Sequence, residues 1–112
     1  MIIRTSALDS ATMVIELEFG DDGDLVEMMD VRQNGFAVMG EDIPLPLAVI
    51  DGRLRTEPWF TEDHLIAIEA HELGHIRTGS CDEPTAEREG IRLLDAAGFV
   101  GAADILRDRG IA

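Results

Sequence analysis

The chain has 112 residues, of which 46% are hydrophobic and 29% are charged. This composition is typical of a globular protein and excludes extended disorder. Its 23 acidic side chains outnumber the 9 basic ones and leave a formal net charge of −14. Because a surface this negative repels phosphate groups, we expect neither nucleic acid nor an anionic membrane as a partner.

The length of the chain predicts one domain over residues 1–112, with a strand-rich half at 1–60 and a helical half at 61–112. No apolar run approaches the roughly 20 residues that span a bilayer, and no apolar segment typical of a signal peptide follows the N-terminus. The single cysteine, Cys81, cannot form an internal disulfide and fits a reducing compartment. We therefore expect a cytoplasmic protein, and an origin in a phage or another mobile element is equally compatible.

The first half of the chain predicts a series of short strands. Residues 13–19 alternate between apolar side chains and others, a period of two that is typical of a half-buried strand. Residues 25–31 are a second candidate strand. The pair Asn34-Gly35 is typical of a two-residue hairpin turn and precedes a third candidate strand at residues 36–39.

The last strand of this half follows two prolines. Pro44 and Pro46 lack the amide hydrogen that a central strand must donate, so residues 47–50 are predicted to form an edge strand or the entrance to one. Residues 53–55 would extend that edge.

The second half of the chain predicts helices. Thr61 is a favourable N-cap for the first of them, and Gly79 stands where a helix typically ends. The second helix begins near residues 82–84 and runs to Gly98, and a short third helix covers about residues 102–109. Strands followed by helices predict an α+β domain with a small, mostly antiparallel sheet.

The first predicted helix contains His71-Glu72-Leu73-Gly74-His75, an HExxH motif. Residues four apart lie about 40° apart around a helix and about 6 Å along it, so both imidazoles can reach one metal ion. Glu72 points about 100° away from His71, where its carboxylate could take a proton from a zinc-bound water. The motif predicts two zinc ligands, His71 and His75, and a general base, Glu72.

A catalytic zinc ion usually has a third protein ligand. The candidates are Cys81, Asp82, Glu83 and Glu87, of which Glu83 is favoured. Glu83 and Glu87 are four residues apart and share a helix face. One of them could bind the metal while the other holds a ligand histidine in orientation.

The residues after the motif continue the pattern of a known family. HELGH followed by Glu83-Pro84-Thr85-Ala86-Glu87-Arg88-Glu89-Gly90 and then by Leu93-Leu94 resembles the gluzincin zinc metallopeptidases, in particular the soluble minimal gluzincins and the ImmA-type peptidases. The resemblance covers about residues 60–100. It implies a zincin-like fold, hydrolysis of a peptide or protein substrate, and one Zn²⁺ per chain. The implied roles are ligand for His71, His75 and Glu83, general base for Glu72, and partner of a ligand histidine for Glu87.

A substrate cleft is also implied by the resemblance. Zincins bind an extended peptide along an edge strand above the active-site helix, and residues 47–50 or 52–55 are the candidates for that strand. The chain has no tyrosine, so the oxyanion of the reaction would be stabilised by His64, Arg77, Arg88 or the metal alone.

Two other functions stay open on the sequence alone. The motif could hold zinc only to join two helices of a non-catalytic module, or the acidic surface could serve an interaction with a basic protein. The C-terminal segment, residues 107–112, is a candidate for folding back over the cleft and blocking it.

Overall fold

A computed structural model describes residues 1–32 and 34–108. Its elements are, in chain order, β1 (Ile2–Thr5), β2 (Met13–Leu17), α1 (Asp24–Arg32), β3 (Gly35–Val38), β4 (Leu47–Asp51), a short 3-10 helix (Gly52–Thr56), α2 (Glu62–Thr78), α3 (Glu83–Ala97) and α4 (Val100–Asp108). The strands form a mixed sheet in the order β1-β2-β4-β3, in which β2 and β4 are parallel and the two outer pairs are antiparallel. The predicted α+β class is confirmed.

The sheet carries helices on both faces. On one face, β2 and β4 pack against α2 through Val14, Ala48, Ile50, Leu65, Ile68 and Leu73. On the other face, a second apolar cluster joins the sheet to α1 through Ile15, Leu17, Met29, Phe36 and Val49. Neighbouring residues of a strand point to opposite faces, so β2 and β4 contribute to both clusters.

Residues 25–31, predicted as a strand, belong to helix α1 instead. Two adjacent methionines break the alternation that a strand requires, and Asp24 and Glu27 place negative charge in the first turn, where a helix favours it. Met29 is fully buried against the sheet, so the packing of one helical face stabilises this conformation. Asn34 therefore lies between α1 and β3, and Gly35 is the first residue of β3, so the predicted hairpin is wrong.

β4 is a central strand, not the edge strand predicted at residues 47–50. Pro44 and Pro46 precede its first residue, so neither removes a hydrogen-bond donor from the ladder. β4 pairs with β2 on one side and with β3 on the other. Residues 53–55, predicted to extend the edge, lie in the 3-10 helix. The edges of this sheet are β3 and β1, and β1 was not predicted.

β2 is buried on both faces, whereas its alternation predicted a half-buried strand. Glu16 is only 3% exposed, because the guanidinium groups of Arg4 and Arg55 both bind its carboxylate. Phe19, included in the predicted strand, lies beyond the end of β2 and is 69% exposed. A glutamate at a polar position of the pattern is thus buried with its charge neutralised.

The helical half agrees with the prediction. α2 begins after Thr61, whose hydroxyl accepts a hydrogen bond from the backbone N–H of His64. α2 ends at Gly79, which has a left-handed backbone with φ of 65°. α3 covers its predicted range, and α4 begins at Val100, slightly before its predicted start. No helix in the described part of the chain is long and apolar enough to cross a bilayer.

Two glycines let α2 and α3 approach each other closely. A Cβ atom on Gly74 of α2 would lie 2.0 Å from the carbonyl oxygen of Ala86, and one on Gly90 of α3 would lie 2.8 Å from that of Ala70. These contacts are too short for any side chain, so the two backbones pack directly on each other. The contact holds the first turns of α3 over the HExxH motif of α2.

Candidate functional site

The two histidines of the motif lie on successive turns of α2 and face the same side. His71 is 7% exposed and His75 is 8% exposed, and their ring centroids are 4.9 Å apart. One ligand atom each from His71, Glu72 and His75 lie within 4.8 Å of one another, a cluster that could hold a metal ion. The structure therefore brings together the residues that the motif predicted to be close.

Each imidazole is oriented by a hydrogen bond that its Nδ1 atom forms. The Nδ1–H of His71 donates to the carboxylate of Glu87, which is fully buried. The Nδ1–H of His75 donates to the backbone carbonyl of Ser80 over 2.7 Å. With Nδ1 occupied in both rings, Nε2 is the nitrogen that each ring presents to the other side.

Both Nε2 atoms face the carboxylate of Glu83. Oε2 of Glu83 lies 2.6 Å from Nε2 of His71, and Oε1 lies 3.2 Å from Nε2 of His75. The two glutamates of α3 therefore take different positions: Glu83 lies between the histidines, and Glu87 lies behind one of them. Sequence spacing placed both glutamates on one face but left these two positions open.

The other candidates for a third ligand, Asp82 and Cys81, come before the first turn of α3. Asp82 is exposed and caps α3, where its carboxylate accepts a hydrogen bond of 3.0 Å from the backbone N–H of Thr85. The hydrogen bond from the Thr85 hydroxyl, together with this backbone bond, lowers the pKa of Asp82. Cys81 is exposed and lines the cleft in front of the histidines.

The charges around His71 favour its protonated form while no ion is bound. Burial is the strongest influence and lowers the pKa of the imidazole. The hydrogen bond to Glu87 and the negative charges of Glu72, Glu87 and Glu83 outweigh burial, so the pKa of His71 is raised above its ordinary value. A divalent cation would compensate the same negative charges.

Glu72 lies beside the free edge strand of the sheet. Its side chain is buried, with 6% exposed, and a Cβ atom on Gly35 would lie 3.2 Å from Oε2 of Glu72. β3 begins at Gly35, so its first residue is next to the predicted general base. A side chain at position 35 would also contact Ile68 of α2.

A cleft of about 330 Å³ opens in front of these groups. It is lined by residues of α1, β3, α2 and the start of α3, namely Met28, Arg32, Asn34, Gly35, Phe36, Ala37, Ile68, His71, Glu72, His75, Cys81 and Glu83. The edge strand at this cleft is β3. The predicted substrate strands at residues 47–50 and 52–55 are wrong, because the first lies in the centre of the sheet and the second in the 3-10 helix.

The three side chains considered for the oxyanion do not line this cleft. The Nδ1 atom of His64 accepts a hydrogen bond of 3.2 Å from the backbone N–H of Thr61 at the start of α2. Arg77 forms ion pairs with Asp9 and Glu89 on the surface. Arg88 is exposed on α3.

The proposed blocking segment, residues 107–112, is described only in part. Residues 109–112 lie outside the described residues. Arg107 is at the end of α4 and forms ion pairs with Asp95 and Asp104.

Glu69 is a buried residue that the sequence analysis missed. It is fully buried on α2, two residues before His71, and accepts hydrogen bonds from Arg4 Nη2 at 2.6 Å, the Ser6 hydroxyl at 2.6 Å and the Ala7 N–H at 2.9 Å. These bonds tie α2 to β1 and to the segment after it. Its spacing of four from Leu65 places it on the apolar face of the helix, which could have indicated its burial.

Comparison of the chain with protein-family models, with curated proteins and with solved structures finds no match.

Proposed function

We propose that this protein is a zinc metallopeptidase of the gluzincin type with a minimal zincin-like fold. The proposal rests on the arrangement around the two histidines. Nδ1 of each ring is hydrogen-bonded from behind, and Nε2 of each ring lies within 3.2 Å of the Glu83 carboxylate. Ligand histidines are typically held in this way by a carboxylate or a backbone carbonyl.

The donor set fits a catalytic zinc ion. His71, His75 and Glu83 would hold the ion, while Glu87 and Ser80 keep the two imidazoles in position. Two imidazole nitrogens and one carboxylate form a known ligand set of catalytic zinc, and this set leaves a fourth coordination position open.

The reaction would be the hydrolysis of a peptide bond. Zinc in such a site lowers the pKa of a water molecule and polarises a carbonyl group. Glu72 accepts the proton of the attacking water and delivers it to the leaving amine. The free edge of β3 binds the substrate in an extended conformation through main-chain hydrogen bonds, and Gly35 brings that edge next to the Glu72 carboxylate.

Zinc content and turnover test this proposal together. We expect native mass spectrometry to find one zinc ion per wild-type chain, and none in Glu83→Ala. Glu72→Gln is the matched control because it preserves the size of the side chain. It should retain zinc and lose peptide hydrolysis by about 10²- to 10⁴-fold.

Two outcomes would contradict the proposal in different ways. A wild type that binds zinc but cleaves no peptide of a random library would indicate a non-catalytic zinc module. A wild type that binds no zinc, even when zinc is added back, would show that the two histidines are not ligands and would favour an interaction domain with an acidic surface.

A further inference from the structure

The cleft has a second wall, which is formed by α1. α1 and α2 lie on opposite faces of the sheet, and both line the cleft together with β3. The cleft therefore extends around the free edge of β3 from one face of the sheet to the other. Met28 and Arg32 provide the α1 wall, and their spacing of four places them on one face of that helix. Both side chains are exposed.

Arg32 differs from most arginines of the chain because it has no acidic partner among the described residues. Ion pairs with aspartate or glutamate are formed by Arg4, Arg53, Arg55, Arg77, Arg92 and Arg107. Arg88 has a weaker partner, since its charge lowers the pKa of Asp82. The side chain of Arg32 forms neither a hydrogen bond nor an ion pair within the described part of the chain. In a protein with a net charge of −14, a cation in a cleft that lacks an acidic partner within the described residues is available to a negatively charged ligand.

We propose that Arg32 binds a carboxylate of the peptide substrate, an inference that rests on the proposed peptidase function. Neighbouring residues of an extended peptide on β3 point to opposite faces. Those on the α2 side meet Glu72 and Glu83, which repel an anionic group. Those on the α1 side meet Arg32, whose guanidinium can bind a carboxylate through two parallel hydrogen bonds.

The carboxylate has two chemical sources, an aspartate or glutamate side chain and the free C-terminus of the peptide. Two mixtures of random hexapeptides distinguish them, one with free C-termini and one with amidated C-termini, both acetylated at the N-terminus. Zinc-loaded wild type, Arg32→Gln, Arg32→Glu and Arg88→Glu are incubated with each mixture, and the products are sequenced by mass spectrometry. Arg88→Glu is the matched control, because Arg88 is exposed, lies outside the cleft and forms no ion pair with the residues that the structure describes.

We expect the wild type to prefer a carboxylate by about 10- to 100-fold, the value of a charge-assisted hydrogen bond. A side-chain source gives acidic residues at one position relative to the cut in both mixtures, whereas a terminal source gives cleavage of the free-acid mixture only. Arg32→Gln should abolish the preference, and Arg32→Glu should reverse it towards lysine and arginine. A wild type that cleaves peptides without preferring a carboxylate would overturn the inference and leave the proposed function standing. An Arg32→Glu variant that keeps the wild-type preference would also overturn the inference without contradicting the proposed function.

A binding measurement decides the inference if the wild type cleaves neither mixture, a result that would refute the proposed function. Acetyl-Ala-Asp-Ala-amide, acetyl-Ala-Asn-Ala with a free C-terminus and acetyl-Ala-Asn-Ala-amide are titrated separately into ¹⁵N-labelled protein, and the amide resonances of β3 and the Nε–H of Arg32 are followed. Selective shifts with either carboxylate peptide that disappear in Arg32→Gln support the inference. Equal shifts with all three peptides, or none with any of them, overturn it. Unchanged thermal unfolding of Arg32→Gln would exclude a structural role.

Discussion

Helix α2 contributes Glu69 and Glu72, about one turn apart, to two different groups of charged side chains, and the negative charges of the two groups are compensated in different ways. Glu69 is bound by Arg4, by a hydroxyl and by a backbone N–H, so the protein itself neutralises it. Glu72, with Glu83 and Glu87, surrounds two imidazoles, and none of the ion pairs at these histidines includes an arginine. The first group joins α2 to the sheet, whereas the second places carboxylates around two imidazoles.

Glu69→Ala should have the largest effect on stability. It removes a fully buried partner of Arg4 and leaves two further donors without their acceptor, so we expect a loss of about 3 kcal/mol in the free energy of unfolding. Glu83→Ala in the metal-free protein should change it by less than about 0.5 kcal/mol, because the Glu83 side chain is 62% exposed. Urea denaturation of both variants tests this comparison, and equal losses in the free energy of unfolding would contradict it.

Zinc should stabilise the wild type and not the variant that lacks the third ligand. At a free zinc concentration of 100 times Kd, the gain is about 2.7 kcal/mol. We expect Glu69→Gln to keep this gain and Glu83→Ala to lose it, as measured by thermal unfolding with and without zinc. If Glu69→Gln also lost the stabilisation by zinc, the zinc site would depend on the buried ion pair of Glu69, and the two groups would not be independent.

Gly74→Ala should disrupt the second group and spare the first. The added methyl group would lie 2.0 Å from the carbonyl oxygen of Ala86, so α3 must move and carry Glu83 and Glu87 away from the histidines. Overpacking of this kind costs about 1–3 kcal/mol. Calorimetric titration should show weaker zinc binding, while protection of the Ala7 amide, which is bound to Glu69, is retained in hydrogen exchange.

The smallest effect concerns pH and the ion pairs of Glu16. Burial alone would raise the pKa of Glu16, but the hydrogen bonds from Arg4 and Arg55 outweigh it, so the pKa lies below its ordinary value of 4.5. A carboxylate with a lowered pKa stabilises the folded state above the unfolded-state pKa, and this contribution is lost as the pH falls through the folded-state pKa. We expect the free energy of unfolding to decrease below about pH 4.5, and Glu16→Gln to make that decrease shallower.

The helical half was predictable because its signals are local. Thr61 and Gly79 define the ends of α2, and the spacing of His71 and His75 places both rings on one side. The spacing of Glu83 and Glu87 left their separate positions open, since these follow from the direct backbone contact between Gly74 and Ala86, and the roles that the resemblance implies for them stay predictions. Residues 60–98 therefore contain most of the information about the candidate site.

The strand-rich half was predicted less well because its conformation depends on tertiary packing. α1 is a helix since Met29 packs into the sheet, and β4 is central since two strands pair with it. Neither fact can be read from a short window of sequence. The misplacement of β4 also hid the role of β3 as the edge strand at the cleft, and with it the position of Arg32.

The end of α2 links helix termination to the proton distribution of a histidine. The N–H of Gly79 binds the carbonyl oxygen of His75 over 2.9 Å, and the next carbonyl, that of Ser80, accepts the ring N–H of the same histidine. The left-handed turn at Gly79 therefore places an acceptor that fixes a proton on Nδ1 of His75. The end of the helix and the orientation of the Nε2 atom towards Glu83 depend on the same turn.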